Sequence, residues 1–270
     1  MSQEPAAPGP AVDILLGMAA WGYGHLVGAL YPPDVPAKER LRRYACVYPF
    51  VEVDQMRYAW PSDAPLATWR DQTPPDFAFV PKMHRSLTHG EGAAFGDAAD
   101  WWAALEPLRE RVSCVLLQFP ASFRNNEGAL GQVLDLMAPI PVPCVVEMRH
   151  RSWATAWPDL LAAGAVPCWT VLDGMPLPGH ADPETGYVRL LGDRSIPPDR
   201  LGALRRDRHD EMEGLGRRVS TQPWRSCRVV ATNHYEGSAP LSLERLAHAW
   251  GLDPPDRPAA GRGSGQSKLF

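Results

Sequence analysis

The sequence has little that would mark a membrane or secreted protein. No apolar run approaches the roughly 18 residues of a membrane-spanning helix, and residues 1–10 have neither the basic start nor the apolar centre of a secretory signal. The five cysteines form no CxxC pair and no zinc-finger spacing, which favours reduced and partly buried thiols. These absences predict a cytoplasmic protein with no membrane partner.

An excess of basic charge is also missing. The chain carries 27 Lys and Arg against 31 Asp and Glu, a formal net charge of −4. Proteins that coat nucleic acid or bind anionic membrane surfaces usually have the opposite balance. Nucleic acid is therefore a less favoured partner than a small molecule.

Sequence signatures of bound cofactors are absent as well. No GxGxxG follows a strand, and the chain has neither a Walker phosphate loop nor a GxSxG nucleophile elbow. The histidines form no HxH or HExxH pair, so a metal site would have to be assembled from distant strands. No cofactor is evident, and a divalent metal ion is the less favoured alternative.

What the sequence does contain is an alternation of short apolar runs with mostly helical segments. This alternation requires a parallel sheet covered by helices, and 270 residues is close to the ~250 of a single (β/α)8 barrel. We therefore expect an α/β protein, a TIM-type barrel that is somewhat irregular around strands six and seven, where residues 172–185 are predicted to form a loop. The predicted strands are Val12–Gly17, Phe50–Val53, Phe77–Lys82, Cys114–Phe119, Pro143–Glu147, Val166–Val171, Tyr187–Leu191 and Arg228–Thr232.

The predicted barrel occupies residues 11–252 as one domain. Residues 1–10 are expected to form a flexible arm, and residues 253–270, rich in Pro, Gly and Arg, a disordered tail. Residues 200–219 are expected to be helical only in part, since Gly214 and Gly216 interrupt the pattern. The other predicted helices are Pro36–Tyr48, Pro65–Gln72, Asp97–Arg111, Asn126–Met137, Ala156–Ala163 and Leu241–Trp250.

Reactive side chains follow the apolar runs. The stretch 145–153 begins with two valines and then presents Glu147, Arg149, His150 and Trp153. Active sites of parallel α/β proteins lie at the carboxyl ends of the strands, so these groups are expected to converge on one mouth of the barrel. The remaining candidates for that site are Trp21, Glu52, Asp54, Tyr58, Lys82, His89, Gln118, Arg189, Asn233 and His234.

Four of these candidates could transfer protons. Glu147 is the leading general acid or base, with Glu52 or Asp54 as its partner; Glu52 and Asp54 lie on the same side of a strand and could also hold a divalent ion. Lys82 follows Phe-Val-Pro, and desolvation would lower its pKa as a base or Schiff-base lysine requires. For Glu52 and Asp54 the alternative is a structural ion pair with Lys82 or Arg149, and for Lys82 an ion pair with Glu52, Asp54 or Glu147 is the favoured interpretation.

The other candidates would bind the ligand. Arg149 and Arg189 suit a phosphate or carboxylate through their forked donors, with a structural ion pair as the alternative. Gln118 and Asn233 would orient the ligand, and His89 is expected in a loop above the barrel. Aromatic side chains could form a stacking wall for a sugar or base, although core packing explains each one separately; they include Trp21, Tyr58 and Trp153.

In order and content, these stretches resemble the YecE-like family of barrel proteins of unknown function. The matching pieces include Val51-Glu-Val-Asp54, Leu117-Gln-Phe-Pro120 and Val146-Glu-Met-Arg-His-Arg-Ser-Trp153. The resemblance covers roughly residues 12–250 and implies a (β/α)8 barrel with a polar pocket at the strand ends, and no agreed activity. The chain departs from the family pattern at Asp54, where Asn is usual, and at Leu191, where His is usual, which implies altered specificity or loss of activity; His234 could supply an imidazole instead.

Three functions follow from these observations. The leading hypothesis is an enzyme, a hydrolase, lyase or isomerase, that acts by acid–base chemistry on a small polar ligand of anionic or sugar-like character. The second is a barrel that binds or processes nucleic acid through its aromatic and arginine side chains. The third, suggested by Leu191, is a non-catalytic barrel that binds a ligand or a partner.

Overall fold

The eight predicted strands are all present. The computed structural model describes residues 12–90, 96–179, 182, 184–192 and 194–256, and the predicted arm at residues 1–10 and the tail from residue 257 onward lie outside them. Each observed strand overlaps its predicted run, with ends that differ by at most two residues. The strands are β1 Asp13–Ala19, β2 Phe50–Val53, β3 Ala78–Pro81, β4 Val115–Gln118, β5 Cys144–Glu147, β6 Ala165–Val171, β7 Thr185–Leu190 and β8 Ser226–Ala231.

These strands form one parallel sheet in the order β3-β2-β1-β8-β7-β6-β5-β4. Its two end strands approach each other through the bridges Phe79–Val112 and Lys82–Leu116. The sheet is therefore a nearly closed (β/α)8 barrel, the predicted fold. Helices lie between the strands: α1 Arg40–Ala45, α2 Asp63–Gln72, α3 Arg85–Thr88, α4 Ala98–Ala103, α5 Ala129–Met137, α6 Trp157–Ala162, α7 His209–Val219 and α8 Ala239–Trp250.

Short 3₁₀ helices extend or replace several predicted helices. The segment 97–111 is not one helix, because α4 ends at Ala103 and a 3₁₀ helix with Pro107 near its start follows. The loop expected between β6 and β7 contains no helix among its described residues. The 3₁₀ helices are Gly24–Leu26, Ala37–Glu39, Asp54–Arg57, Glu106–Arg111, Arg151–Thr155 and Pro198–Arg200.

The prediction that Gly214 and Gly216 interrupt a helix is wrong. Helix α7 runs unbroken through both glycines. A Cβ at Gly216 would lie 2.7 Å from the Trp250 Nε1 atom, so this glycine lets α8 pack closely on α7. The cost of glycine in the helix is offset by burial of the apolar face formed by Met212, Leu215 and Val219.

Alternation along the strands places a polar layer on top of an apolar one inside the barrel. Successive side chains of a barrel strand point inward and outward in turn, and a buried apolar cluster includes Phe50, Val80, Leu116, Val145 and Tyr187. Two residues farther along the same strands the side chains are polar, and each is at most 4% exposed: Glu52, Lys82, Gln118, Glu147 and Arg189. The fold thus gathers these polar side chains at the carboxyl end of the barrel.

No helix among the described residues is both long enough and apolar enough to cross a membrane. The cysteines form no disulfide; Cys46 is exposed and the other four thiols are buried. Burial raises the pKa of the Cys114 thiol to about 11, so this side chain behaves as a small apolar group in the barrel interior.

Candidate functional site

Arg189 joins the two glutamates of the polar layer. Its Nε donates to Glu52 Oε2 at 2.9 Å, its Nη2 donates to Glu52 Oε1 at 2.6 Å, and its Nη1 donates to Glu147 Oε2. The Tyr187 hydroxyl donates a further hydrogen bond to Glu52 Oε2 at 3.0 Å. Forked pairing with both oxygens of a carboxylate is strong and directional, so Arg189 is held in a single orientation.

Glu147 is fully buried and remains an anion. Burial raises the pKa of its carboxyl group, but the guanidinium groups of Arg189 and Arg149, with the Lys82 ammonium, lower it to about 2. Arg149 Nε donates to Glu147 Oε1 at 2.5 Å. A carboxylate with so low a pKa is a weak proton acceptor at neutral pH. The geometry therefore suits Glu147 to holding the two arginines, rather than to the acid–base role that the sequence indicated.

Lys82 and Asp54 form a separate ion pair at the edge of the polar layer. The Lys82 Nζ donates to Asp54 Oδ1 at 2.8 Å, as the ion-pair interpretation predicts. Burial lowers the pKa of Lys82 and the nearby Arg189 lowers it further, while neighbouring carboxylates offset only part of the effect. Burial also raises the pKa of Asp54, but the Lys82 ammonium together with the guanidinium groups of Arg189 and Arg57 holds that pKa below its ordinary value. Lys82 is therefore more readily deprotonated than Arg189, whose pKa is raised by its pairing with the two glutamates.

A cavity of about 430 Å³ opens above these groups; we call it the central cavity. Asp54, Lys82 and Arg189 border it from the strand ends, so the two ion-paired clusters form its floor. Leu191 lies in its wall, at the position where the resembling family usually has His. The other bordering side chains include Tyr23, His25, Tyr58, Arg194, Asn233 and His234.

His25 is a cavity residue that the sequence analysis did not single out. Burial lowers the pKa of its imidazole and the neighbouring His234 lowers it further, whereas a hydrogen bond with Asn233 acts in the opposite direction. Its ring stacks on Tyr23, with 5.1 Å between the ring centres. The Asn233 side-chain oxygen accepts from the backbone N–H of Ala239 at 3.0 Å and so holds the first residue of α8. His25 follows β1 in the sequence, and this position after the carboxyl end of a strand is the feature that could have identified it as a site residue.

Arg57 is the second residue that the sequence analysis missed. Its Nη1 donates to Gln118 Oε1 at 2.9 Å and lies 2.9 Å from His89 Nε2. Gln118 also donates from Nε2 to the backbone oxygen of Phe119 at 2.8 Å. Gln118 and His89 are therefore brought together, and Arg57 is the group that links them.

Two of the predicted ligand-binding aromatics are packed in the apolar core. Trp21 is 8% exposed and meets Trp69 edge to face, with 5.1 Å between the ring centres. Trp153 is fully buried, donates from Nε1 to the backbone oxygen of Phe123 at 2.9 Å and stacks on the Phe123 ring. Core packing, the alternative open for both residues, describes their surroundings. Tyr58, in contrast, is 60% exposed at the rim of the central cavity.

The two carboxylates that could have shared a divalent ion face different cations. Glu52 is paired with Arg189, whereas Asp54 is paired with Lys82. Within the described part of the chain, no group of three or more His, Cys, Asp or Glu side chains is arranged to hold a metal ion. The ion-pair partner of Glu52 is thus an arginine, and that of Asp54 is a lysine.

Comparison with known proteins gives a family match over most of the chain. The profile of the family described as "Protein of unknown function DUF72" matches residues 15–262. The UPF0759 protein YecE of Escherichia coli K12 is 32% identical over 113 residues, which cover 41% of this chain and 41% of that protein. The same figures hold for the protein of that name in E. coli O157:H7. The matched segment thus spans less than half of the length of these curated relatives.

Solved structures of similar proteins share the barrel. A DUF72 family protein from Enterococcus faecalis V583 superposes with a TM-score of 0.71 at 17% identity, covering 95% of this chain and 100% of that one. A DUF72 family protein from Thermotoga maritima MSB8 gives a TM-score of 0.69 at 23% identity, covering 87% of this chain and 96% of that one. At such identities the likeness establishes the fold alone.

Proposed function

We propose, from the premise that this chain belongs to the DUF72 family of proteins of unknown function, that it is an enzyme acting on a small polar anion bound in the central cavity. The observation that carries the proposal is the position of Lys82 and Arg189, which border the cavity while being only 4% and 3% exposed. Ion pairs with Asp54 and with the two buried glutamates hold these cations at the cavity floor. A bound anion would meet both of them in a partly desolvated site, where charge pairing is strong.

The charges around the cavity support an anionic ligand. Lys82, Arg189 and Arg194 border it with positive charge, and Asp54 borders it with negative charge. Glu52 and Glu147 lie behind Arg189 and are engaged by it. Arg189 has five N–H donors; within the described part of the chain the glutamates take three of them, and in this proposal the other two bind the anionic group.

Proton transfer is assigned to Lys82 with Asp54 as its partner. Because the pKa of Lys82 is lowered, its neutral amine is accessible closer to neutral pH than that of an exposed lysine. The amine would accept a proton from the bound ligand and return it, while Asp54 holds the resulting ammonium at 2.8 Å. Such an exchange fits isomerase or lyase chemistry, and hydrolysis would additionally need an ordered water.

The rim of the cavity supports a ligand with a flat or ring-shaped face. Tyr23 is 44% and Tyr58 is 60% exposed, and both border the cavity. Exposed aromatic rings offer apolar faces on which a sugar or a planar group stacks. A volume of about 430 Å³ falls in the range of roughly 300–1,000 Å³ found for small-molecule sites. A monosaccharide bearing a phosphate or carboxylate combines these properties.

Titration calorimetry with inorganic phosphate and a panel of monosaccharide phosphates and sugar acids tests the proposal. Lys82→Met keeps the length of the side chain and removes its charge, so we expect at least a tenfold loss of affinity. Lys38→Met, at an exposed position, is the matched control and should bind as the wild type does. Binding of no panel member by the wild type, or equal affinity of Lys82→Met, would contradict the assignment.

Catalysis is tested separately by NMR in deuterated water. The enzyme hypothesis expects wild-type protein to exchange a carbon-bound hydrogen of a bound panel member for deuterium, and Asp54→Asn to slow the exchange at least tenfold. Binding without exchange or conversion would favour the non-catalytic barrel instead.

One contact favours nucleic acid as a second candidate ligand. The guanidinium groups of Arg57 and Arg85 each lie 5.5 Å from the centre of the exposed Tyr58 ring. Aromatic rings flanked by arginine serve as stacking platforms for single-stranded bases. Filter binding of a labelled oligonucleotide should then weaken between 50 mM and 200 mM salt, and a flat titration at both salt concentrations would remove this candidate.

A further inference from the structure

A second cavity, of about 780 Å³, lies at the same end of the barrel beside the segments that follow β5 and β6; we call it the side cavity. Met148, Trp157, Met175 and Leu177 are among its bordering side chains, together with prolines of the β6–β7 loop. A mostly apolar wall and a volume in the range of roughly 300–1,000 Å³ are typical of sites for organic molecules. Methionine side chains adapt their shape to different apolar partners.

The charge available to a ligand in this cavity is positive. Arg149 and Arg151 border it, as does Asp173. The Asp173 carboxylate is engaged by Arg208, whose Nη1 lies 2.8 Å from Asp173 Oδ1. The carboxylate is therefore offset by Arg208, and an anion entering the cavity would meet the two arginines of the β5 end.

Arg149 has hydrogen-bonding capacity that the described residues do not use. Its Nε is bound to Glu147, and its side chain is 15% exposed. Its Nη2 atom is buried and has no hydrogen-bond partner among the described residues. A buried guanidinium N–H without a partner costs free energy, and buried polar groups in native proteins are nearly always hydrogen-bonded.

We propose that the side cavity binds an organic carboxylate with an apolar body. The carboxylate pairs with the guanidinium of Arg149, and the body packs on Met148, Trp157 and Leu177. A sugar or another strongly polar molecule would leave its hydroxyl groups without partners against this wall. The proposal does not rest on the function proposed for the central cavity, because none of the residues that the structure describes borders both cavities.

Linear alkanoates from butanoate to decanoate, with the alkan-1-ols of equal length, are the probes. Titration calorimetry of the full chain should show tighter binding with chain length, about fourfold per methylene while the body still fits. Octanoate should bind at least tenfold more tightly than octan-1-ol, since only the carboxylate pairs with Arg149. Equal affinity of acid and alcohol, or affinity independent of chain length, would overturn the proposal.

Two variants locate the binding. Arg149→Met should remove the preference for octanoate over octan-1-ol, and Leu177→Asp should lower octanoate affinity at least tenfold by placing a negative charge in the apolar wall. Leu177→Asp does not touch Glu147, so it decides the matter if Arg149→Met fails to fold. Leu204→Asp, at an exposed leucine that borders neither cavity, is the matched control and should bind as the wild type does. Unchanged octanoate affinity in Leu177→Asp would overturn the proposal.

Discussion

Arg189 is the residue on which both buried glutamates depend. Glu52 and Glu147 are fully buried, and two carboxylates so placed would repel each other without a cation between them. Arg189 pairs with both, and Arg149 supplies a second guanidinium to Glu147. The two guanidinium groups thus explain why the pKa of Glu147 lies below its ordinary value, while Lys82 and Asp54 form a separate ion pair that borders the central cavity.

The pairing of Glu147 predicts an acid-sensitive fold. Its pKa falls from an ordinary 4.5 to about 2 in the folded protein, so the stabilisation is fully present above pH 4.5 and is lost as the pH falls from 4.5 toward 2. One pKa unit corresponds to about 1.4 kcal/mol, which makes the loss on the order of 3 kcal/mol. Denaturant unfolding at several pH values between 6 and 2.5 measures it.

Glu147→Gln isolates this contribution. The variant should be less stable than the wild type at pH 7, because Arg189 and Arg149 lose a buried partner, and its stability should depend less on pH below 5. Glu106→Gln, at an exposed glutamate, is the control and should keep the wild-type pH dependence. The same slope in Glu147→Gln as in the wild type would contradict the assignment of acid sensitivity to this residue.

At the scale of elements, β1 and β2 approach closely at Gly17. A Cβ at this position would lie 2.7 Å from Phe50 Cζ and 2.9 Å from the Phe50 backbone oxygen. Phe50 belongs to the apolar layer, two residues before Glu52. The absence of a side chain at Gly17 therefore lets the Phe50 ring fill the barrel beneath the polar layer.

Gly17→Ala should accordingly destabilise the protein by about 1–3 kcal/mol, because the added methyl group displaces the Phe50 ring or the β2 backbone. Gly131→Ala is the matched control: Gly131 lies in α5, where a Cβ meets nothing within 4 Å, and alanine should stabilise the helix by up to about 1 kcal/mol. Denaturant unfolding of the two variants measures both effects. Equal stability of the two would show that the close approach does not limit packing.

For the whole molecule, the strands were predictable from the sequence and several side-chain partners were not. Short apolar runs ending in polar groups mark strands buried on both faces, and the convergence of parallel strand ends was the basis for grouping Glu52, Lys82 and Glu147, which are all buried at the carboxyl end of the barrel. Helix ends depend on tertiary packing, which overrode the glycines of α7. Arg57 could not be singled out, because its partner Gln118 is 61 residues away, and such a contact depends on how separate strands are positioned.

The roles of the charged groups were less predictable than their positions. The sequence left open whether each carboxylate is paired or reactive, since both outcomes need the same residue types. The distances show a pairing for both: Glu147 is bound by two arginines, and Asp54 is bound by a lysine that borders the central cavity. The sequence left a similar choice open for Trp21 and Trp153, because an aromatic side chain near a strand end can either pack in the core or line a cavity.

The described residues of β3 and β4 are joined by isolated bridges, not by a continuous ladder of backbone hydrogen bonds. We call this junction the seam. There the strands meet through the bridges Phe79–Val112 and Lys82–Leu116, with backbone bonds from Met83 N to Leu116 O at 2.9 Å and from Ser113 N to Phe79 O at 3.1 Å. Strands β1 and β8, in contrast, pair continuously from Asp13 to Met18. Local opening requires less free energy where fewer contacts must break.

Hydrogen exchange should therefore be fastest at this seam among the strand pairs of the barrel. We expect the amides of Met83 and Ser113 to exchange at least tenfold faster than those that link β1 to β8, as measured residue by residue by NMR under native conditions. Lys82 lies in the seam, so an anion that pairs with it should slow exchange at Met83 and leave the β1–β8 amides unchanged. Equal protection of both groups of amides would mean that the seam opens only with the whole barrel, because every strand pair would then share one free energy of opening.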